Sequence, residues 1–68
     1  MVGIMDNFTD RQQQVARLLA QGLTQEQIAH QLGIHPGSVR RHTANMRRST
    51  GINSTTTIAI KAYMELDN

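Results

Sequence analysis

The stretch TQEQIAHQLGIHPGSVRRH, from Thr24 to His42, decides how this chain folds. Thr24 has the character of a helix N-cap, and Gln27 three residues later completes a capping box. Ile28, Ala29 and Leu32 then form a short apolar stripe at helical spacing, and Gly33 ends it. A helix of about two turns does not persist alone, so the segment Gln25–Leu32 must be held by packing. Pro36 opens a second helix, because the N–H that proline lacks has no intrahelical partner at the first helical position. Val39, His42, Thr43, Met46 and Thr50 recur on one side of it, and Gly51 closes it. A short helix, a tight glycine turn and a second helix make a helix-turn-helix unit. Each part has a reason: Ala29 is small where two helices cross, Gly33 permits the sharp turn, Ile34 fills the space between the helices, and Val39 anchors the second helix from below.

The flanking sequence completes the bundle. Thr9 and Gln12 repeat the capping box, with Phe8 before them as a hydrophobic staple. Val15, Leu18 and Leu19 carry the apolar stripe of a helix from about Asp10 to Gln21, and Gly22 suits its C-terminal turn. Beyond Gly51, Ile52 is expected to return to the core and Ser54 to cap a helix from about Thr55 to Leu66. The run Thr55-Thr56-Thr57 is a poor helix former, and up to Ile60 it also suits a strand. The following Lys-Ala-Tyr-Met-Glu-Leu decides for helix. The expected fold is all-α: a four-helix bundle with a central helix-turn-helix, spanning residues 8–66 behind a flexible N-terminus of residues 1–7, with the last two residues frayed. On the fourth helix Ile58, Ala59, Ala62, Tyr63 and Leu66 share the expected core face, while Ile60 and Met64 project from another side.

Sixty-eight residues make one domain. A core this small supplies about 3–5 kcal/mol, and with no cysteine there is no disulfide or cysteine zinc site to add to it. Tight helix packing and oligomerisation remain. No apolar run approaches the ~20 residues that span a bilayer, and the N-terminus lacks the basic and apolar regions of a signal peptide. The expectation is a soluble, cytoplasmic protein with no membrane partner.

The net charge is only +2, but it is unevenly placed. There is no acidic residue between Glu26 and Glu65, and four of the seven basic residues, Arg40, Arg41, Arg47 and Arg48, lie on the helix that begins at Pro36. With Val39, His42 and Met46 inward, that helix presents Ser38, Arg41, Ala44, Asn45 and Arg48 outward, with Arg40 and Arg47 beside them. A basic cluster on one element is the footprint of a nucleic-acid binder. Arginine pairs with guanine and asparagine with adenine in the major groove. Peripheral arginines neutralise phosphates. The segment from Pro36 to Arg48 is therefore the candidate recognition helix and double-stranded DNA the candidate partner. A solvated basic face is the bland alternative.

These residues resemble a known family. Phe8-Thr9, Leu18-Leu19-Ala20-Gln21-Gly22-Leu23-Thr24, Ile28-Ala29, Leu32-Gly33-Ile34, Pro36, Ser38-Val39-Arg40, His42, Asn45-Met46 and Gly51-Ile52, in this order and spacing, are similar to the C-terminal DNA-binding domain of LuxR-type (GerE-like) transcriptional regulators. The resemblance runs from about Phe8 to Ala62. It implies a four-helix bundle that binds promoter DNA, commonly as a dimer through the fourth helix. It places Arg40, Arg41 and Ala44 at positions that often contact bases, and His42 at one that packs beneath the recognition helix or touches the backbone. Ala44 offers only apolar contact, as to a thymine methyl. The chain departs from the pattern at Gln12 and Gln14, where glutamates are usual, at Thr50, where a core leucine is usual, and at His35, where a small polar cap is usual. Most members carry a receiver or ligand-sensing domain ahead of this one; Met1 with a few residues before the first helix leads to the expectation of a stand-alone regulator, bacterial or phage-encoded and nucleoid-associated, rather than an excised domain.

Other chemistries fit less well. His30, His35 and His42 lack acidic or cysteine co-ligands at metal-site spacing. Ser38 and His42 are four apart, yet no orienting carboxylate or oxyanion hole accompanies them, so neither an enzyme nor a cofactor is expected. The four methionines read as core filler or termini. Ile60 and Met64, one turn apart, are the candidate homodimer contact; isolated exposed apolar residues are the ordinary alternative. RNA polymerase or another regulator are further candidate partners. Within DNA binders, a fragment like sigma-factor region four is disfavoured by the Gly51-Ile52 turn and the fourth helix. The competing class is a protein-interaction module, such as an antagonist of another regulator, which has no need of four arginines beside a groove-entering face.

Overall fold

A computed structural model describes residues 3–67. Four α-helices follow one turn of 3-10 helix at Ile4–Asn7: α1, Asp10–Ala20; α2, Gln25–Leu32; α3, Pro36–Thr50; and α4, Thr55–Leu66. No strand occurs among the described residues, so the threonine run at 55–57 is helical. The four-helix bundle with a central helix-turn-helix is therefore the observed architecture. α1 packs chiefly on α4, and α2 on α3.

The helix starts follow local chemistry. Thr9 accepts from the Gln12 N–H at 3.2 Å while the Gln12 side chain accepts from the Thr9 N–H at 3.1 Å. Thr24 and Gln27 make the same reciprocal pair at 3.1 and 2.8 Å. Each box satisfies two backbone donors that the first turn otherwise leaves without partners. Ser54 caps α4 through the Thr57 N–H at 3.3 Å.

The first two helices also end alike. Gly22 and Gly33 take positive φ, 92° and 68°, a conformation glycine enters without steric penalty. The residue after each glycine folds back: Leu23 N–H reaches the Leu18 carbonyl at 3.2 Å, and Ile34 N–H the Ala29 carbonyl at 3.0 Å. Leu23 and Ile34 are thereby turned onto the edge of the core, where both are partly buried. This closure gives α2 its sharp exit and sets the angle at which α3 leaves.

The core gathers Phe8, Val15, Ala16, Leu18, Leu19, Ile28, Ala29, Val39, Met46, Ile58 and Ala62. Ala29 is buried, as a close crossing of α2 and α3 requires. Three details differ from the sequence expectation. On α3 it is Thr43, not His42, that is fully buried; its hydroxyl donates to the Arg40 carbonyl at 2.9 Å, which removes the penalty of burying it, while the imidazole of His42 stays half-buried at the rim. On α4 Tyr63 and Leu66 are exposed, because only Ile58 and Ala62 face inward fully. The third detail is the N-terminal turn. The Glu65 carboxylate accepts from the Ile4 N–H at 2.8 Å and the Met5 N–H at 3.3 Å, and the Gln13 amide donates to the Met5 carbonyl at 3.0 Å. Residues 4–7 are thus tied to both terminal helices. Of the expected flexible N-terminus, residues 1 and 2 lie outside the described residues, as does Asn68 of the expected frayed end.

Candidate nucleic-acid interface

α3 is the longest helix among the described residues, with 15 residues, and it ends at Thr50 with Gly51 closing it, as the sequence led one to expect. Thr50, where a core leucine was the family expectation, is half-buried. Its hydroxyl donates to the Met46 carbonyl at 2.8 Å and accepts from the Ile52 N–H at 3.2 Å, stitching the helix end to the loop that leads into α4.

Val39, Thr43 and Met46 are buried and fix the rotation of α3. At 3.6 residues per turn the side opposite that stripe carries Gly37, Arg41, Ala44 and Arg48. Arg41 and Arg48 are exposed and two turns apart, with the half-exposed Ala44 between them. The short side chain of Ala44 leaves a gap between two long cations. Arg40 and Arg47 share one flank, again seven residues apart; Ser38 and Asn45 share the other, both half-exposed. The seven candidate residues thus lie on one continuous surface. Within it Arg40, Arg41 and Arg48 are exposed, whereas Arg47 is half-buried and donates from Nη1 to the Thr55 hydroxyl of α4 at 2.7 Å. That bond ties the basic helix to its neighbour, a role the sequence pattern did not disclose.

The start of α3 holds a second such finding. His35 is itself the N-cap: Nδ1 accepts from the Gly37 N–H at 2.9 Å. Histidine stands outside the usual capping set, yet a neutral imidazole offers the one acceptor a cap needs.

On α4, Ile60 and Met64 are exposed, at 55% and 61%, and Tyr63 and Leu66 join them. Ile60, Tyr63 and Met64 are three and four residues apart, so they form one outward apolar band. Tyr63 stands between two shallow clefts over α1, of about 290 and 230 Å³. No cluster of residues suited to a metal ion occurs among the described residues, so the three histidines are not gathered.

A basic helix rotated outward on a helix-turn-helix, with a fourth helix closing the bundle, matches a known pattern: residues 6–62 fit the model of the luxR family of bacterial regulatory proteins. This chain belongs to that family. Among curated relatives it is 36% identical over 61 residues to the transcriptional regulatory protein UhpA of Escherichia coli (strain K12), covering 90% of this chain and 31% of the relative. The UhpA of Salmonella typhimurium is similar to the same degree. The two-component response regulator PprB of Pseudomonas aeruginosa is 35% identical over 57 residues, covering 84% of this chain and 21% of that protein. The chain therefore spans a third or less of the length of these relatives. Among solved structures none matches it significantly. No helix among the described residues is long and apolar enough to cross a membrane.

Proposed function

We propose that this chain is a DNA-binding transcriptional regulator that reads double-stranded DNA by placing α3 in the major groove, and that it does so as a homodimer through α4. The observation that carries the first part is the rotation of α3: burial of Val39, Thr43 and Met46 leaves Arg40, Arg41 and Arg48 exposed on a helix with no acid. Arg41, on the outermost ridge, is placed to fork onto a guanine edge, and Asn45 beside it to pair with adenine. Arg40 and Arg48 hold phosphates, and Ser38 donates to the backbone near the helix start. The membership in the luxR family and the regulatory relatives support this reading.

The dimer rests on the apolar band of α4. A second copy laid antiparallel along Ile60 and Met64 would cover the band, and Tyr63 would enter the cleft beside its counterpart. A two-fold interface of this kind presents two copies of α3 to half-sites about one helical turn apart. In this reading the protein acts in the cytoplasm on chromosomal or phage DNA, with RNA polymerase or another regulator as its further partner. The test is guanine methylation interference on a duplex selected from a random pool. Methylation at N7 in two spaced half-sites is expected to block binding; interference confined to minor-groove adenines, or none, would refute groove entry by α3.

A further inference from the structure

The cap on α3 leaves something over. His35 accepts at Nδ1 from the Gly37 N–H at 2.9 Å. A nitrogen that accepts carries no proton, so the neutral ring holds its hydrogen on Nε2. A serine cap would commit its one oxygen to the helix at close range. The imidazole commits one nitrogen and presents the other, as a donor, on the far side of an exposed ring.

Gly37 is fitted to this arrangement. Glycine is a poor choice inside a helix, but a Cβ at this position would stand 3.0 Å from Nδ1 of His35 and 3.4 Å from its Cε1. The ring stands close enough that it would have to give by a few tenths of an ångström to admit that side chain. The same point lies 3.8 Å from Nη2 of Arg40. The imidazole and the Arg40 guanidinium thus flank one bare Cα at the end of α3 whose residues enter the groove in helix-turn-helix complexes.

We infer that His35 is a DNA-contacting residue: its Nε2–H donates, from a neutral ring, to a backbone phosphate at the groove edge, next to the phosphate that Arg40 holds. This deepens the DNA-binding reading and rests on it. A neutral donor on an ionised phosphate makes a charge-assisted bond without adding a cation. It therefore strengthens binding but leaves the release of counterions unchanged. That combination separates it from every arginine on the surface.

The experiment uses the full chain and a duplex selected from a random pool with the wild-type protein. His35→Asn keeps a capping oxygen but has no second group that reaches outward. It is expected to bind every duplex about tenfold more weakly, with the same melting temperature and the same dependence on salt. Replacing phosphates one at a time by neutral methylphosphonates should reveal at least one position that weakens the wild type and leaves His35→Asn unaffected. Gly37→Ala, which displaces the ring by a few tenths of an ångström, should reproduce part of the loss. The ¹⁵N spectrum of the free protein should show His35 with its hydrogen on Nε2. Equal binding by wild type and His35→Asn, with wild type bound, overturns the proposal and spares the DNA reading. A salt slope that falls by about 0.9 on substitution also overturns it, because the contact would then be a cation's. Binding of no duplex at all by the wild type removes both readings, and the tautomer then reports only the cap.

Discussion

α3 and α4 each bury a narrow stripe, Val39-Thr43-Met46 on one and Ile58-Ala62 on the other. What they expose differs. α3 shows Arg40, Arg41 and Arg48; α4 shows Ile60, Tyr63, Met64 and Leu66. The charged face is well solvated as it stands and gains by exchanging counterions for phosphates. The apolar face loses nothing in being covered and gains with every Å² removed from water. The two helices are therefore suited to different partners, a nucleic acid and a protein surface. Arg47, bonded to Thr55, joins the two at the level of side chains.

Removing the shared foundation has the largest expected effect. Met46→Ala deletes a fully buried side chain, at about 2–5 kcal/mol, on a domain whose core supplies about 3–5 kcal/mol. Loss of helical circular dichroism near room temperature is expected, and a cooperative melt close to wild type would show that the core carries less than this. The next effect separates the two faces. Ile60→Asp with Met64→Glu is expected to leave the fold intact, shift sedimentation to monomer, and weaken binding to a two-half-site duplex about a hundredfold while sparing a single half-site. An unchanged dimer would remove α4 as the interface. The smallest effect tests the link. Arg47→Ala is expected to lower stability by about 1 kcal/mol and to weaken all DNA sequences alike, and Thr55→Val should reproduce the stability loss without altering the salt dependence. If Thr55→Val has no effect on melting, Arg47 belongs to the DNA face alone.

The same contrast explains which features are legible in the sequence. The caps at Thr9 and Thr24 and the glycine exits at Gly22 and Gly33 depend on residues three to five apart, so the local sequence encodes them in full. α3 is legible too, because its arginines avoid the stripe defined by Val39 and Met46. The choice between His42 and Thr43 is not: both sit near that stripe, and Thr43, whose hydroxyl is satisfied by the Arg40 carbonyl, is the one covered. α4 is harder. Apolar residues occur nearly all round it, so periodicity alone does not centre its buried face, and it wrongly turns Tyr63 and Leu66 inward. The position of α1 and the N-terminal turn held by Glu65, about sixty residues away from it in sequence, settle the rotation. No local pattern encodes that contact. His35 stands out in the sequence as a departure from the family pattern, but its capping role depends on the geometry of the ring.

The most direct test of α3 as a DNA-binding surface is duplex affinity as a function of salt, measured by fluorescence anisotropy for wild type and Arg40→Ala. Each phosphate neutralised contributes about −0.9 to the slope of log K against log salt. A steep wild-type slope that falls in magnitude by about 0.9 in the variant is expected. No measurable affinity for any duplex at low salt, or a slope indifferent to the loss of Arg40, would contradict it.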